Sequence, residues 1–78
     1  MTGDSLTRVR LLEAQGEQAY ARLYDAVSPG AAAACYADAK DCFTDALAMA
    51  RRLFAVEDIA RLQSRLDHVK AVFRSQFS

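Results

Sequence analysis

The chain has 78 residues, 53 % of them apolar, and its ten acidic residues balance ten basic ones. That balance excludes the strong basic field on which nucleic-acid binding depends. The sequence has no uncharged apolar run of about 18 residues, which excludes a transmembrane helix.

A chain of this length makes one small domain, and a lone core of that size is only marginally stable. Self-association into a homo-oligomer is therefore expected. Much of the apolar content is alanine, which favours helix and close helix contact while adding little hydrophobic area. With one proline and three glycines, the chain reads as long helices with few breaks. Met1–Glu17 contains no uninterrupted apolar core of signal-peptide type, so a cytoplasmic location is expected.

The first helix is expected over 5–26, with Asp4 or Ser5 as its N-cap. Its apolar stripe is Leu6, Val9, Leu12, Ala19, Tyr20, Leu23 and Val27. Gly16 interrupts this helix at a cost of about 1 kcal/mol relative to alanine, or else marks a close helix crossing. Tyr20 and Tyr24 are four residues apart, and at least one should keep its hydroxyl in water.

Ser28-Pro29-Gly30 is the clear break. Ser28 can cap a second helix whose first position is Pro29, where no N–H is missed. That helix is expected over 29–53. Its stripe is Cys35/Tyr36, Ala39, Cys42/Phe43, Ala46/Leu47, Met49/Ala50 and Leu53/Phe54. Its polar side carries Asp38, Lys40, Asp41, Asp45, Arg51 and Arg52. The acids precede the arginines, which suits the helix dipole. Cys35 and Cys42 share this helix but stand roughly 10 Å apart along it, too far for an internal disulfide. They read as two small buried residues, with an intermolecular bridge or a redox role as the alternative.

Phe54-Ala55-Val56 contains neither glycine nor proline, but Glu57 and Asp58 are first-turn acids. A short turn and a third helix over 56–77 are expected, in preference to one continuous helix from Pro29 to Phe77 about 70 Å long. The third helix carries the most regular stripe of the chain: Ile59, Leu62, Leu66, Val69, Phe73 and Phe77, at steps of three or four. Val72 widens it and Ala60 borders it. The opposite side carries Asp58, Arg61, Arg65, Asp67, Lys70 and Arg74. These readings give an all-α, three-helix, up-down-up bundle that self-associates. The stripe of the third helix is the candidate surface- or partner-binding element, and it must bury itself against its own chain, another copy or an apolar surface.

Little in the chain could do chemistry. His68 is the sole histidine, beside Asp67 on a polar face, with no Cys or carboxylate cluster at metal-ligand spacing around it. Ser5, Ser28, Ser64, Ser75 and Ser78 have no paired base, and no glycine-rich phosphate loop occurs. No enzyme, cofactor or metal is expected. Arg61, Arg65, His68 and Lys70 make the third helix mildly basic. That face is either solvated, with pairs such as Asp58–Arg61, or attracted to an anionic surface or partner.

Several motifs carry a resemblance. Tyr36-Ala37-Asp38, Phe43-x-Asp45, a leucine at 53, Glu57-Asp58, Leu62-Gln63-Ser64 and Val72-Phe73-x-Ser75-Gln76-Phe77 together resemble the phasins, small helical proteins that coat polyhydroxyalkanoate granules. Asp58–Ser64 is the most similar segment, and the match covers Tyr36–Gln76. The resemblance implies a non-catalytic protein whose apolar helix faces lie on the polyester surface, or against partner helices, while charge faces the cytosol. A second likeness is to the tetratricopeptide repeat. Tyr36, Ala39, Phe43, Ala46 and Leu47 fit its second helix and Tyr20, Leu23 and Tyr24 its first, although the Ser28–Cys35 connection is long for it. That likeness implies a small protein–protein interaction module.

Overall fold

The computed structural model describes residues 2–76, with side chains from Ser5 to Gln76. Three helices follow one another: α1 (Thr2–Leu23), α2 (Pro29–Arg52) and α3 (Val56–Gln76). The chain is all-α. The radius of gyration is 13.0 Å, above the roughly 11.5 Å of a globule of this length, as suits a rod 42 Å long and 18 by 13 Å across.

α1 begins at Thr2, so the helix has already formed at Asp4 and Ser5 and neither is its N-cap. It ends at Leu23, short of the expected Ala26. The N–H groups of Tyr24, Asp25 and Ala26 donate to carbonyls three residues back (3.3, 3.0 and 3.3 Å), which tightens the chain out of the α-helix. The cause lies downstream. Ser28 must be extended to start α2 (φ −150°, ψ 159°), and the residue before a proline disfavours helix in any case. Val27, counted in the α1 stripe, is left 96 % exposed.

Ser28 is the N-cap of α2 and Pro29 its first residue. The Ala31 N–H donates to Ser28 Oγ at 3.1 Å, satisfying one of the free donors of the first turn. Arg51 and Arg52 occupy the last turn, where the helix dipole favours cations, but no acid stands in the first turn. The earliest, Asp38, is too far along to feel the N-terminal partial charge.

α2 ends in a turn without glycine. The Ala55 N–H reaches back to the Ala50 carbonyl (3.0 Å) and the Phe54 N–H to that of Arg51 (3.2 Å). This pair of bonds defines a Schellman termination. It requires a left-handed residue between, and Phe54 supplies it with φ 54°. The side chain of Phe54 consequently points away from the core and is 85 % exposed, while Leu53 and Ala55 pack inward. The expected turn is present, and it removes Phe54 from the stripe. Glu57 and Asp58 follow in the first turn of α3.

The core is assembled around α2, whose buried face is Ala32, Ala39, Phe43, Ala46, Leu47 and Ala50. α1 contributes Val9, Ala19 and Leu23, and α3 contributes Leu62, Leu66 and Val69. Small residues let α1 come close to α2. Gly16 is buried, and a Cβ there would stand 3.0 Å from two atoms of the Phe43 ring. Gly16 therefore marks a helix crossing. α3 packs on the other flank of α2, where Phe73 stacks on Tyr36 with ring centroids 4.1 Å apart and planes 7° from parallel.

Candidate functional site

The stripe of α3 lies mostly inside the bundle. Leu62 and Val69 are fully buried and Leu66 is 5 % exposed. Ile59 and Phe73 are half-buried at its two ends. Phe77 lies outside the described residues. The five described members are thus gathered on one face, and in this closed form α2 is their cover.

α1 and α3 meet differently. Their backbones stand further apart than either does from α2, and long polar side chains bridge the gap. Arg61 donates through Nε and Nη2 to the two carboxylate oxygens of Glu13, both at 2.8 Å. One turn on, Arg65 does the same to Glu17 at 2.8 and 2.7 Å. A further turn on, Tyr20 Oη lies 3.1 Å from His68 Nε2. Each pair is separated by 48 residues, so α1 and α3 run parallel and in step, with α2 antiparallel between them. The sequence is up-down-up, and a three-rung polar ladder closes its third side.

The rungs are elaborated locally. Arg61 also pairs with Asp58 at 2.7 Å, within α3. Asp58 was expected on the solvent side, yet it is only 7 % exposed because it turns under Arg61 toward the seam. Tyr24 extends the third rung, its hydroxyl 3.0 Å from that of Tyr20. The Arg65 guanidinium lies over the Tyr20 ring, 5.4 Å from its centroid. These neighbours set the proton affinities. The Tyr20 phenol is pushed up from 10.0 to about 12, first by burial and then by its hydrogen bond to Tyr24. Arg61 and Arg65 are held even more firmly protonated than usual, chiefly by their hydrogen bonds to Glu13 and Glu17.

The ladder changes the meaning of the basic face of α3. Two of its arginines are neutralised by glutamates from α1, so the face offers an anionic partner far less than its own sequence suggests. Glu13 and Glu17 carry no signal within α1 beyond their spacing of four. That spacing matches Arg61 and Arg65, which becomes meaningful once the two helices are known to be parallel. His68 is exposed, as expected, but it takes part in the tyrosine chain.

The thiols are free and half-buried on α2. Burial pushes the Cys42 thiol up, and Asp38, Asp45 and Asp41 add to the effect, so its nucleophilic thiolate is suppressed. Among the described residues no group of three or more His, Cys, Asp or Glu is placed to hold a metal ion. No helix among them is long and apolar enough to cross a membrane.

A further candidate surface is at the α2–α3 turn. An open groove there is lined by Leu6, Arg10, Phe54, Val56, Glu57 and Asp58. Compared with known proteins, the chain matches no family model, no curated protein and no solved structure.

Proposed function

We propose that this chain is a non-catalytic, amphipathic helical protein that works by laying the stripe of α3 on an apolar surface or partner helix, as phasins do on polyhydroxyalkanoate granules. The observation that carries this reading is the asymmetry of the bundle. α3 is held to α2 by apolar packing and to α1 by a polar ladder. The rungs are partly exposed, so water can replace their ion pairs at a cost of about 1 kcal/mol each. The apolar contacts of Leu62, Leu66 and Val69 are worth about 25 cal/mol per Å² wherever they are made. An apolar polyester surface can therefore replace the apolar contacts that α2 makes with this stripe. A cytoplasmic, granule-associated location and self-association through the same stripe belong to this reading.

The test is co-sedimentation with polyhydroxybutyrate particles, with polystyrene beads as control. Leu66→Asp should weaken binding but also disrupts the closed bundle. Phe73→Glu alters the half-buried end of the stripe and is the more informative variant. Polyester-selective binding weakened by Phe73→Glu is expected. A folded wild-type chain that ignores polyester, or binds both particles equally, sinks the proposal.

One observation favours a second reading. Leu62 and Val69 are 0 % exposed, so the stripe already has a partner within the chain. A bundle that stays closed would act as a small protein-interaction module. The tetratricopeptide form of that idea fits less well, since α1 and α2 have 22 and 24 residues. Two such helices exceed a repeat of about 34.

A further inference from the structure

At the α2–α3 end of the bundle three apolar side chains stand clear of the core. Phe54 is 85 % exposed, Val56 73 % and Leu6 40 %, and all three line the same open groove. Phe54 is doubly unusual. It holds a left-handed backbone (φ 54°) that glycine adopts freely and a bulky residue adopts at a cost. It recovers almost none of that cost by burial. The stability of the fold gives no reason for an aromatic residue here.

The charges around it have a sign. Arg8, Arg10, Arg51 and Arg52 are all exposed at this end. Arg51 makes one long hydrogen bond, 3.4 Å, to Gln63. Arg8, Arg10 and Arg52 have no ionic partner among the described residues. Of the two acids beside the groove, Asp58 is already bound to Arg61, which leaves Glu57, and Asp45 lies beside Arg8 and Arg52 on the adjoining α1–α2 surface. The tip is therefore apolar at its centre and basic around it, on a chain whose net charge is zero.

We propose that this tip is a contact site for an anionic phospholipid bilayer. Phe54 and Val56 enter the interface, and Arg10, Arg51 and Arg52 meet the headgroup phosphates. Phenylalanine is among the apolar residues that interfacial proteins bury at the boundary between headgroups and acyl chains. One apolar insertion holds a protein only marginally, and nearby arginines provide the second attraction that makes the contact stable. A second copy of the chain is a poorer occupant. Pairing two tips gathers four arginines from each copy, with Glu57 and Asp45 to offset them on each side. The inference does not rest on the preceding proposal, because the stripe of α3 stays buried and the bundle stays closed.

The test is flotation of the full chain with phosphatidylcholine vesicles, with and without phosphatidylglycerol. The deciding variant is Phe54→Gly, which removes the ring yet favours the left-handed turn, so it folds at least as well as wild type. A thermal melt checks this. Wild type should float with anionic vesicles, and high salt or the double variant Arg10→Gln/Arg52→Gln should weaken the binding. Phe54→Gly should lose about tenfold or more, the affinity that burying one phenylalanine side chain provides. Wild type that fails to float with anionic vesicles overturns the proposal. So does Phe54→Gly floating as well as wild type. A dimer in sedimentation equilibrium that Phe54→Gly abolishes, without flotation, replaces it with self-association. Failure here is distinct from failure on polyester, which is read through Phe73→Glu.

Discussion

Gly16→Ala puts the close crossing of α1 and α2 to a test whose sign is informative. A Cβ at Gly16 would lie 3.0 Å from Phe43 Cε2 and Cζ and 3.1 Å from Cδ2. Unstrained carbon contacts are about 3.5–4.0 Å, so the ring must retreat by roughly 0.5 Å or the helices must part. Phe43 is 0 % exposed and belongs to a cluster with Ala39, Ala46, Leu47, Leu62 and Leu66, so it has little room to move. Alanine gains about 1 kcal/mol in helix propensity, and overpacking a filled core costs about 1–3 kcal/mol. The net expectation is a loss of about 1 kcal/mol. For a chain of this length that corresponds to a fall in Tm of about 4–8 °C. Urea titration followed by helical circular dichroism should show a lower midpoint at unchanged slope. In a Phe43→Leu background the ring is gone, and the same Gly16→Ala change should become stabilising by about 1 kcal/mol. If Gly16→Ala raises the stability of the wild-type chain, the crossing is not limited by Gly16 against Phe43, and the account of the core given above fails.

Ser28→Ala removes the acceptor for the Ala31 N–H and should cost about 1 kcal/mol, with Ser28→Asp restoring most of it in the same thermal melt. A Tm unchanged by Ser28→Ala would mean that water caps α2 equally well. Alkali should also destabilise the fold through Tyr20. Its proton is held more tightly folded (about 12) than at its ordinary 10.0. Stability from this source is therefore complete below about pH 10 and is lost as pH rises through about 12. Denaturation midpoints across that window should fall less steeply in Tyr20→Phe, and equal slopes would refute the assignment.

Much of the fold can be read from local sequence. Ser28 and Pro29 announce the start of α2 by residue type alone, because capping and a fixed φ act within one turn. The three- and four-residue steps of Leu62, Leu66 and Val69 identify a buried helix face. Gly16 was open to two readings, and the position of Phe43, on another helix, decides for the close crossing. Other features have no local signature. The turn at Phe54 uses a left-handed backbone at a residue that disfavours it, so periodicity assigned that ring to the core and it stands in solvent instead. Asp58 looks like a solvent-side acid until α1 is placed beside it.

The polar ladder is the clearest division between the two levels. Spacing within α1 sets Glu13 and Glu17 on one face, and spacing within α3 does the same for Arg61 and Arg65. That the two rows meet, 48 residues apart and in register, depends on both helices packing in parallel against α2. Short-range terms, namely propensity, capping and amphipathic period, are written in neighbouring residues and determined three helices with their inward faces. Pairings across the bundle depend on how those faces rotate and slide when the core fills, and only the tertiary structure decided them.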